Sequence, residues 1–174
     1  MITTPAFAGQ RFAVLGLARS GMAAVESLLA GGAQVTAWDS REEPRRAFEG
    51  RVELADPLTI DLAGFAGVVV SPGVPLNTHP IAAHAAAAGV PVIGDIELFA
   101  IARPHLPAHR VVGITGTNGK STTTALVHHV LQSAALPTRM GGNIGLPVLC
   151  QAPLPPGGVY VLELSSYQID LTHS

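Results

Sequence analysis

The sequence predicts an α/β fold made of parallel sheets in two successive units, the second of them incomplete. Short apolar, β-branched runs at residues 11–15, 34–38, 68–70, 90–93, 111–114 and 159–162 alternate with stretches of helical periodicity. That alternation is the pattern of βαβ units with helices on both faces of a parallel sheet. Two of the runs end in glycine-bearing turns that open a helix, at Gly16 to Gly21 and at Gly113 to Ser121. Such junctions bring backbone N–H groups and a helix N-terminus to bear on a phosphate. Together these features predict a Rossmann-like parallel sheet domain followed by the start of a P-loop ATPase-type α/β domain.

Composition bounds the function. The chain has 174 residues, 48% of them hydrophobic and 13% charged, which predicts a globular rather than a disordered chain. The formal net charge of −2 carries no footprint for nucleic acid or an anionic membrane. Aromatic residues are 5% of the chain, too few for a base-stacking platform. One cysteine, Cys150, excludes an intrachain disulfide and fits a reducing compartment. Met1-Ile-Thr-Thr-Pro5 lacks the basic start and apolar core of a signal peptide, and the apolar stretch from Ile81 to Val90 is broken by His84 and Gly89. A cytoplasmic monomer without nucleic-acid or membrane partners is the expectation.

The elements follow in order. The run from Arg11 to Leu15 is a strand, and a helix through Met22, Val25 and Leu28 follows it, stopped by Gly31-Gly32. Gln34 to Trp38 is the next strand, closing a βαβ unit at Asp39. Residues 41–50 are polar, a short helix or loop, and 52–54 a minor strand. Val68-Val-Val70 is a buried strand ending in the turn Ser71-Pro-Gly-Val-Pro75. An alanine-rich helix runs from His79-Pro80 to Ala88, a strand from Val90 to Ile93, and a helix begins after Asp95. The stretch Arg103-Pro-His-Leu-Pro107 is the best linker candidate. The expected organisation is therefore 1–94 for the first domain, 95–109 for a linker and 110–174 for the front of a second. In that second unit a helix from Ser121 to about Ala135 is followed by a strand near 137–140, a Pro/Gly-rich loop at 151–158 and the buried strand 159–162. Two or three strands do not close a nucleotide-binding domain, so the chain reads as the front part of a longer protein.

The stretch that carries most chemistry is Gly116-Thr-Asn-Gly119-Lys120-Ser121-Thr122. Glycines let consecutive N–H groups converge on an anion, the helix start adds partial positive charge, and Lys120 adds a full one. The Ser121 hydroxyl sits where it can ligate Mg²⁺. The spacing departs from the common G-x-x-x-x-G-K-[ST] loop, because Ile114 stands where the first glycine would fall. Glu163 ends the strand 159–162 at the carboxyl edge, where ligands sit, and is a candidate Mg²⁺ ligand or a helix-capping acid. Asn143, in Gly141-Gly-Asn-Ile-Gly145, presents an amide to a phosphate or serves as a turn residue. In the first unit, Gly16-x-Ala18-x-x-Gly21 with Asp39 beyond it resembles a dinucleotide fingerprint, with alanine at the middle position. A UDP group, NAD and a purely structural turn all fit that pattern, with UDP preferred. The histidines have no ligand spacing, and Asp170 and His173 read as a solvated pair.

Several motifs line up in order: Gly116-Thr-Asn-Gly-Lys-Ser-Thr122, Gly141-Gly-Asn-Ile-Gly-Leu-Pro147, Glu163-Leu-Ser-Ser-Tyr-Gln168, Gly94-Asp-Ile-Glu-Leu-Phe99 and Ser71-Pro-Gly73. On these the chain resembles the Mur ligase family of ATP-dependent amide-bond-forming enzymes of cell-wall synthesis, and in particular its D-glutamate-adding member. The resemblance implies ATP and Mg²⁺ as cofactors, and UDP-N-acetylmuramoyl-L-alanine and D-glutamate as substrates joined through an acyl phosphate. It implies UDP-precursor contacts at Arg19, Ser20, Asp39, Ser40, Arg41, Gly73 and Asn143. It implies ATP contacts at Gly116, Thr117, Asn118, Gly119, Lys120, Ser121 and Thr122. Metal ligation falls to Ser121 and Glu163, and catalytic roles to Lys120, Asn143 and Glu163. Ala18 and Arg19 depart from the family's usual Gly and common Leu. The rival readings are an NAD(P)-dependent oxidoreductase and a non-catalytic nucleotide-binding module.

Overall fold

Strand β1 (Arg11–Leu15) lies at the centre of a five-stranded parallel sheet. The chain first builds to one side of it, through α1 (Arg19–Ala30) to β2 (Gln34–Trp38) and through α2 (Glu42–Arg46) to the two-residue β3 (Glu53–Leu54). It then crosses back to β4 (Gly67–Val70) on the other side of β1, and through α3 (Ile81–Ala87) to β5 (Val92–Ile93). The order β3-β2-β1-β4-β5 puts a switch point between β1 and β4, and the carboxyl ends of parallel strands at such a point form a ligand crevice. The computed structural model describes residues 1–174.

Burial explains why these runs are strands. All of β4 and all but the first residue of β1 are buried, as expected for strands covered by helices on both faces. Helix α1 buries Ala23, Ala24, Val25 and Leu28 against the sheet, and its closing Gly31 N–H bonds back to Leu28. Gly21 is required in its first turn, because a Cβ there would overlap the Gly16 carbonyl oxygen. The strand expected at 90–93 is shorter than the apolar run. Pro91 has no N–H to donate, so only its carbonyl joins the sheet, accepting from Val68 N–H at 2.8 Å.

The stretch 95–109 is itself structured. Helix α4 (Asp95–Ala102) is buried on nearly every side, with Leu98 and Phe99 almost fully enclosed. It is followed by a short 3-10 turn at Arg103–His105 and then by β6 (His109–Ile114). The second sheet holds β6, β7 (Thr138–Gly142) and β8 (Gly158–Glu163) in the parallel order β6-β8-β7. Helix α5 (Lys120–Ser133) connects β6 to β7, and α6 (Ser166–Asp170) follows β8. Strand β8 is buried at every residue.

One apolar core runs through both sheets. Phe12, Leu28, Leu98, Phe99, Val148, Leu149, Tyr160 and Leu162 belong to the same buried cluster. Phe99 and Tyr160 meet edge-to-face with centroids 5.1 Å apart, and the Tyr160 hydroxyl accepts from Leu154 N–H at 3.0 Å. The outer side of the second sheet is different in character. Helix α5 buries only Thr124, while Leu126, Val130 and Val112 of β6 are exposed. Asp170 and His173 do not pair; the His173 N–H donates to Glu97 at 2.8 Å instead.

A two-part candidate site at the carboxyl edges of both sheets

The first part lies where β6 turns into α5. Gly116 has φ +145° and Gly119 φ +73°, a left-handed pair that side chains rarely adopt. Gly119 is the N-cap of α5 and offers no capping side chain, so the first-turn N–H groups stay available for an anion. Thr117, Asn118 and Thr122 are exposed around this loop. The Lys120 ammonium donates to the Gly116 carbonyl at 2.7 Å, which folds the lysine over the loop.

Three of the expected site residues converge beside it. The Ser121 hydroxyl donates to Glu163 Oε2 at 2.6 Å, and the Asn143 amide donates to Glu163 Oε1 at 2.8 Å. The Asn143 backbone N–H also donates to the Glu163 carbonyl at 2.8 Å. Glu163 is 2% exposed, so both of its oxygens depend on these donors. Each residue owes its place to the sheet. Gly142 pairs with Glu163 across β7 and β8, Ile114 pairs with it across β6 and β8, and Ser121 follows in the first turn of α5. Gly142 has φ +89°, and a Cβ there would collide with the Glu163 backbone.

No group of three or more His, Cys, Asp and Glu side chains comes together to hold a metal. Ser121 and Glu163 nonetheless offer two adjacent hard oxygens at a helix N-terminus. That donor set fits Mg²⁺, which takes one or two protein oxygens and fills the rest of its shell with water and phosphate.

The second part is a cavity of about 400 Å³ over the switch point of the first sheet. Its walls include Gly16, Ala18, Trp38, Asp39, Ser40, Arg41, Asp56, Ser71, Gly73 and His79. Asp39 shapes the mouth: its Oδ2 accepts from Leu17 N–H at 2.7 Å and its Oδ1 from Arg41 N–H at 3.0 Å. Burial pushes the Asp39 carboxyl up, but the N–H groups of Leu17 and Arg41 and the Arg41 guanidinium outweigh it and hold the acid below its ordinary pKa. Ser71 Oγ donates to the Gly16 carbonyl at 2.6 Å, and Arg45 lies 4.2 Å over the Trp38 ring.

Asp39, Ser40, Arg41 and Gly73 thus line one cavity, while Arg19 and Ser20 are not among its walls. Arg19 is exposed and donates from Nη2 to the Gly145 carbonyl at 2.8 Å, bridging to the loop that carries Asn143. Ser20 turns toward the buried Asp95. Trp38, Asp56, Ser71 and His79 were not picked out from the sequence as site residues. Their common signal is position, since Trp38 ends β2 and Ser71 follows β4.

Comparison with known proteins gives the following. The family model for the N-terminal domain of MurD-like Mur ligases matches residues 10–94, and the Mur ligase middle-domain model matches residues 114–174. A UDP-N-acetylmuramoylalanine--D-glutamate ligase of Novosphingobium aromaticivorans is 79% identical over 174 residues, covering 100% of this chain and 39% of the relative. The protein of the same description from Sphingopyxis alaskensis is 71% identical, over 100% of this chain and 40% of the relative. The one from Zymomonas mobilis is 60% identical, over 99% and 42%. The chain therefore spans about two fifths of the length of these relatives.

Proposed function

This chain belongs to the Mur ligase family, and from that premise we propose that it is the precursor- and ATP-binding part of a ligase of peptidoglycan synthesis. The ligase adds D-glutamate to UDP-N-acetylmuramoyl-L-alanine at the expense of ATP. In this reading residues 1–94 bind the UDP end of the precursor, 95–109 join the two domains, and 110–174 open the ATP domain. Asp39, Ser40, Arg41 and Gly73 line the cavity that would take the UDP group. The N–H groups of residues 116–122 and the Lys120 ammonium would hold the ATP phosphates. Ser121 and Glu163 would hold Mg²⁺, which supplies neutralisation of charge on the β- and γ-phosphates. Asn143 would share its amide between Glu163 and the sugar end of the precursor.

The chemistry proposed is the acyl-phosphate route that the family resemblance implies. The carboxylate of the precursor attacks the γ-phosphorus of ATP and ADP leaves, giving an acyl phosphate. The amine of D-glutamate then attacks the acyl carbon, its nitrogen gives up a proton to solvent or the departing phosphate, and the C–O bond to phosphate breaks, leaving an amide. The chain's own contribution is to bind both phosphate-bearing molecules at adjacent carboxyl edges and to hold positive charge at the transferring group. No helix is long and apolar enough to cross a membrane, and a cytoplasmic location suits a single exposed, unpaired cysteine.

The observation that carries this reading is the Ser121–Glu163–Asn143 cluster beside the left-handed glycine loop. Calorimetric titration of the chain with UDP, NAD and ATP·Mg²⁺ tests it. UDP and ATP·Mg²⁺ are expected to bind at separate sites and NAD weakly or not at all. NAD binding tighter than UDP overturns the assignment in favour of a dinucleotide enzyme.

A further inference from the structure

Asp95 is a buried acid that the proposed chemistry leaves unused, and its surroundings are unusual. It is 2% exposed at the start of α4. Its Oδ1 accepts from its neighbour Ile96 N–H at 3.0 Å and from Gln168 Nε2 at 3.1 Å, a residue 73 positions later in α6. Its Oδ2 is buried with no hydrogen-bond partner. The side chain of Ser20, in the first turn of α1, lies against the same carboxyl. Gln168 is committed on its other side as well. Its Oε1 accepts from Ser165 N–H at 3.1 Å, and its own N–H donates to Ser165 Oγ at 3.2 Å, closing a capping box at the start of α6.

The chain of hydrogen bonds therefore starts at the first turn of α4 and ends two residues beyond Glu163. A second contact flanks Glu163 from the other side. Arg19, next to Ser20, donates to the Gly145 carbonyl in the loop that carries Asn143. The carboxyl edge of β8 is thus tied on one side of the Ser121–Glu163–Asn143 cluster to the first turn of α1 and on the other to α4, which shares a buried core with the first sheet. The Arg19 contact is exposed and weak. The Asp95–Gln168 contact is buried, where a hydrogen bond is strong and its loss expensive.

We propose that Asp95 and Gln168 are a positioning pair that fixes the register between the phosphate loop and the precursor cavity, so that the two reacting groups meet in line. The proposal rests on the function proposed above. Burial pushes the Asp95 carboxyl up, with the bonds from Gln168 and Ile96 opposing it. The contact needs only the Oδ1 acceptor, so a neutral isostere that keeps it should do the same work. Asparagine keeps the acceptor for Gln168 and puts an amide where the second oxygen is, whereas alanine leaves the Gln168 amide without its acceptor.

The test uses the full-length protein with Asp95→Ala, Gln168→Leu, the double variant and Asp95→Asn, reading phosphate release, UDP affinity and thermal unfolding. Asp95→Ala is expected to lower kcat by about 10-fold or more, since a misplacement of about 1 Å can cost 10²-fold, while UDP affinity holds. Gln168→Leu should match it, the double variant should fall little further because the two act as one unit, and Asp95→Asn should recover most of kcat. Unchanged kcat in Asp95→Ala overturns the inference, as do equal losses of UDP affinity and kcat or multiplying effects in the double variant. If Asp95→Ala does not fold, Gln168→Leu decides by the same criteria. Absence of any phosphate release by the unsubstituted protein with ATP, Mg²⁺, UDP-N-acetylmuramoyl-L-alanine and D-glutamate sinks the proposed function instead. The pair is then judged by hydrogen exchange: unchanged protection of residues 163–170 in Asp95→Ala rejects it, and lost protection supports it.

Discussion

Ser121 and Glu163 stand 42 residues apart in the chain, yet the hydroxyl of one donates to the carboxylate of the other at 2.6 Å. The first turn of α5 and the end of β8 supply the two ends of that bond. It joins the cationic loop to the acid that completes it, and Asn143 takes the other oxygen of the same carboxylate.

Glu163→Ala should be a stability variant as well as a binding one. It removes the acceptor of both the Ser121 hydroxyl and the Asn143 amide, two donors on exposed residues whose bonds contribute about 0.5–1.5 kcal/mol each. Thermal unfolding of this chain should shift down by about 2–4 °C per kcal/mol, and ATP·Mg²⁺ affinity should fall further than ATP affinity without metal. An unchanged transition temperature would show that the two donors find other partners.

Gly142→Ala and Gly73→Ala separate conformational need from cavity shape. Gly142 is left-handed and faces the Glu163 backbone, whereas a Cβ at Gly73 meets nothing. The first substitution should cost at least about 1–3 kcal/mol in denaturant unfolding, the usual cost of a strained backbone position. The second should leave stability unchanged and weaken UDP binding only. The opposite ranking in urea melts would contradict the geometry.

Lys120→Ala should leave UDP affinity intact and remove most turnover in the full-length protein. The expected loss is about 10²-fold or more in kcat, the scale of a preorganised charge partner of a transition state. Phosphate release within a factor of a few of the unsubstituted protein would place Lys120 away from the transferring group.

Two acids make opposite pH signatures. Asp39 has its pKa lowered in the fold, so it contributes stability that is present above its unfolded pKa, about 3.9, and lost as pH falls through the lower folded value. Asp95 has its pKa raised, so the folded state binds its proton more tightly and stability falls as pH rises from the unfolded value toward the folded one. Asp39→Asn should therefore destabilise more at pH 7 than at pH 3. Asp95→Asn should be stabilising at pH 7 relative to the parent and close to neutral at pH 3. Chemical denaturation at the two pH values reads both signs.

Much of this was legible in the sequence because parallel strands buried on both faces are plain apolar runs. The runs at Arg11, Gln34, Val68 and Val159 became β1, β2, β4 and β8 nearly residue for residue. The loop glycines and the Ser121 and Glu163 pair were legible because a strand-turn-helix junction fixes where the next side chains fall. Side-chain direction in a first helical turn was not. Arg19 and Ser20 sit one step from the cavity mouth, and their local sequence does not say that one reaches Gly145 and the other Asp95. The Asp95–Gln168 contact was out of reach for a different reason. It depends on burial of an acid between two units, and nothing near either residue in the chain encodes the other. Asn143 read as an amide presented to a phosphate or as a turn residue, and its engagement with Glu163 appears only once β7 and β8 are paired.

The burial of α4 also sets where genes of this kind can be cut and rejoined. A crossover just after residue 94 would transplant the five-stranded sheet without Leu98 and Phe99, which share a core with it and with Tyr160. A chimera joined there would pair one parent's sheet with the other parent's helix and would have to match both surfaces at once. A crossover placed after Ala102, in the Pro-bearing turn at Arg103–His105, keeps α4 with the sheet it packs on but still separates Asp95 from Gln168. Exchange between distant relatives is therefore favoured where donor and acceptor both carry an acid and an amide at those two positions.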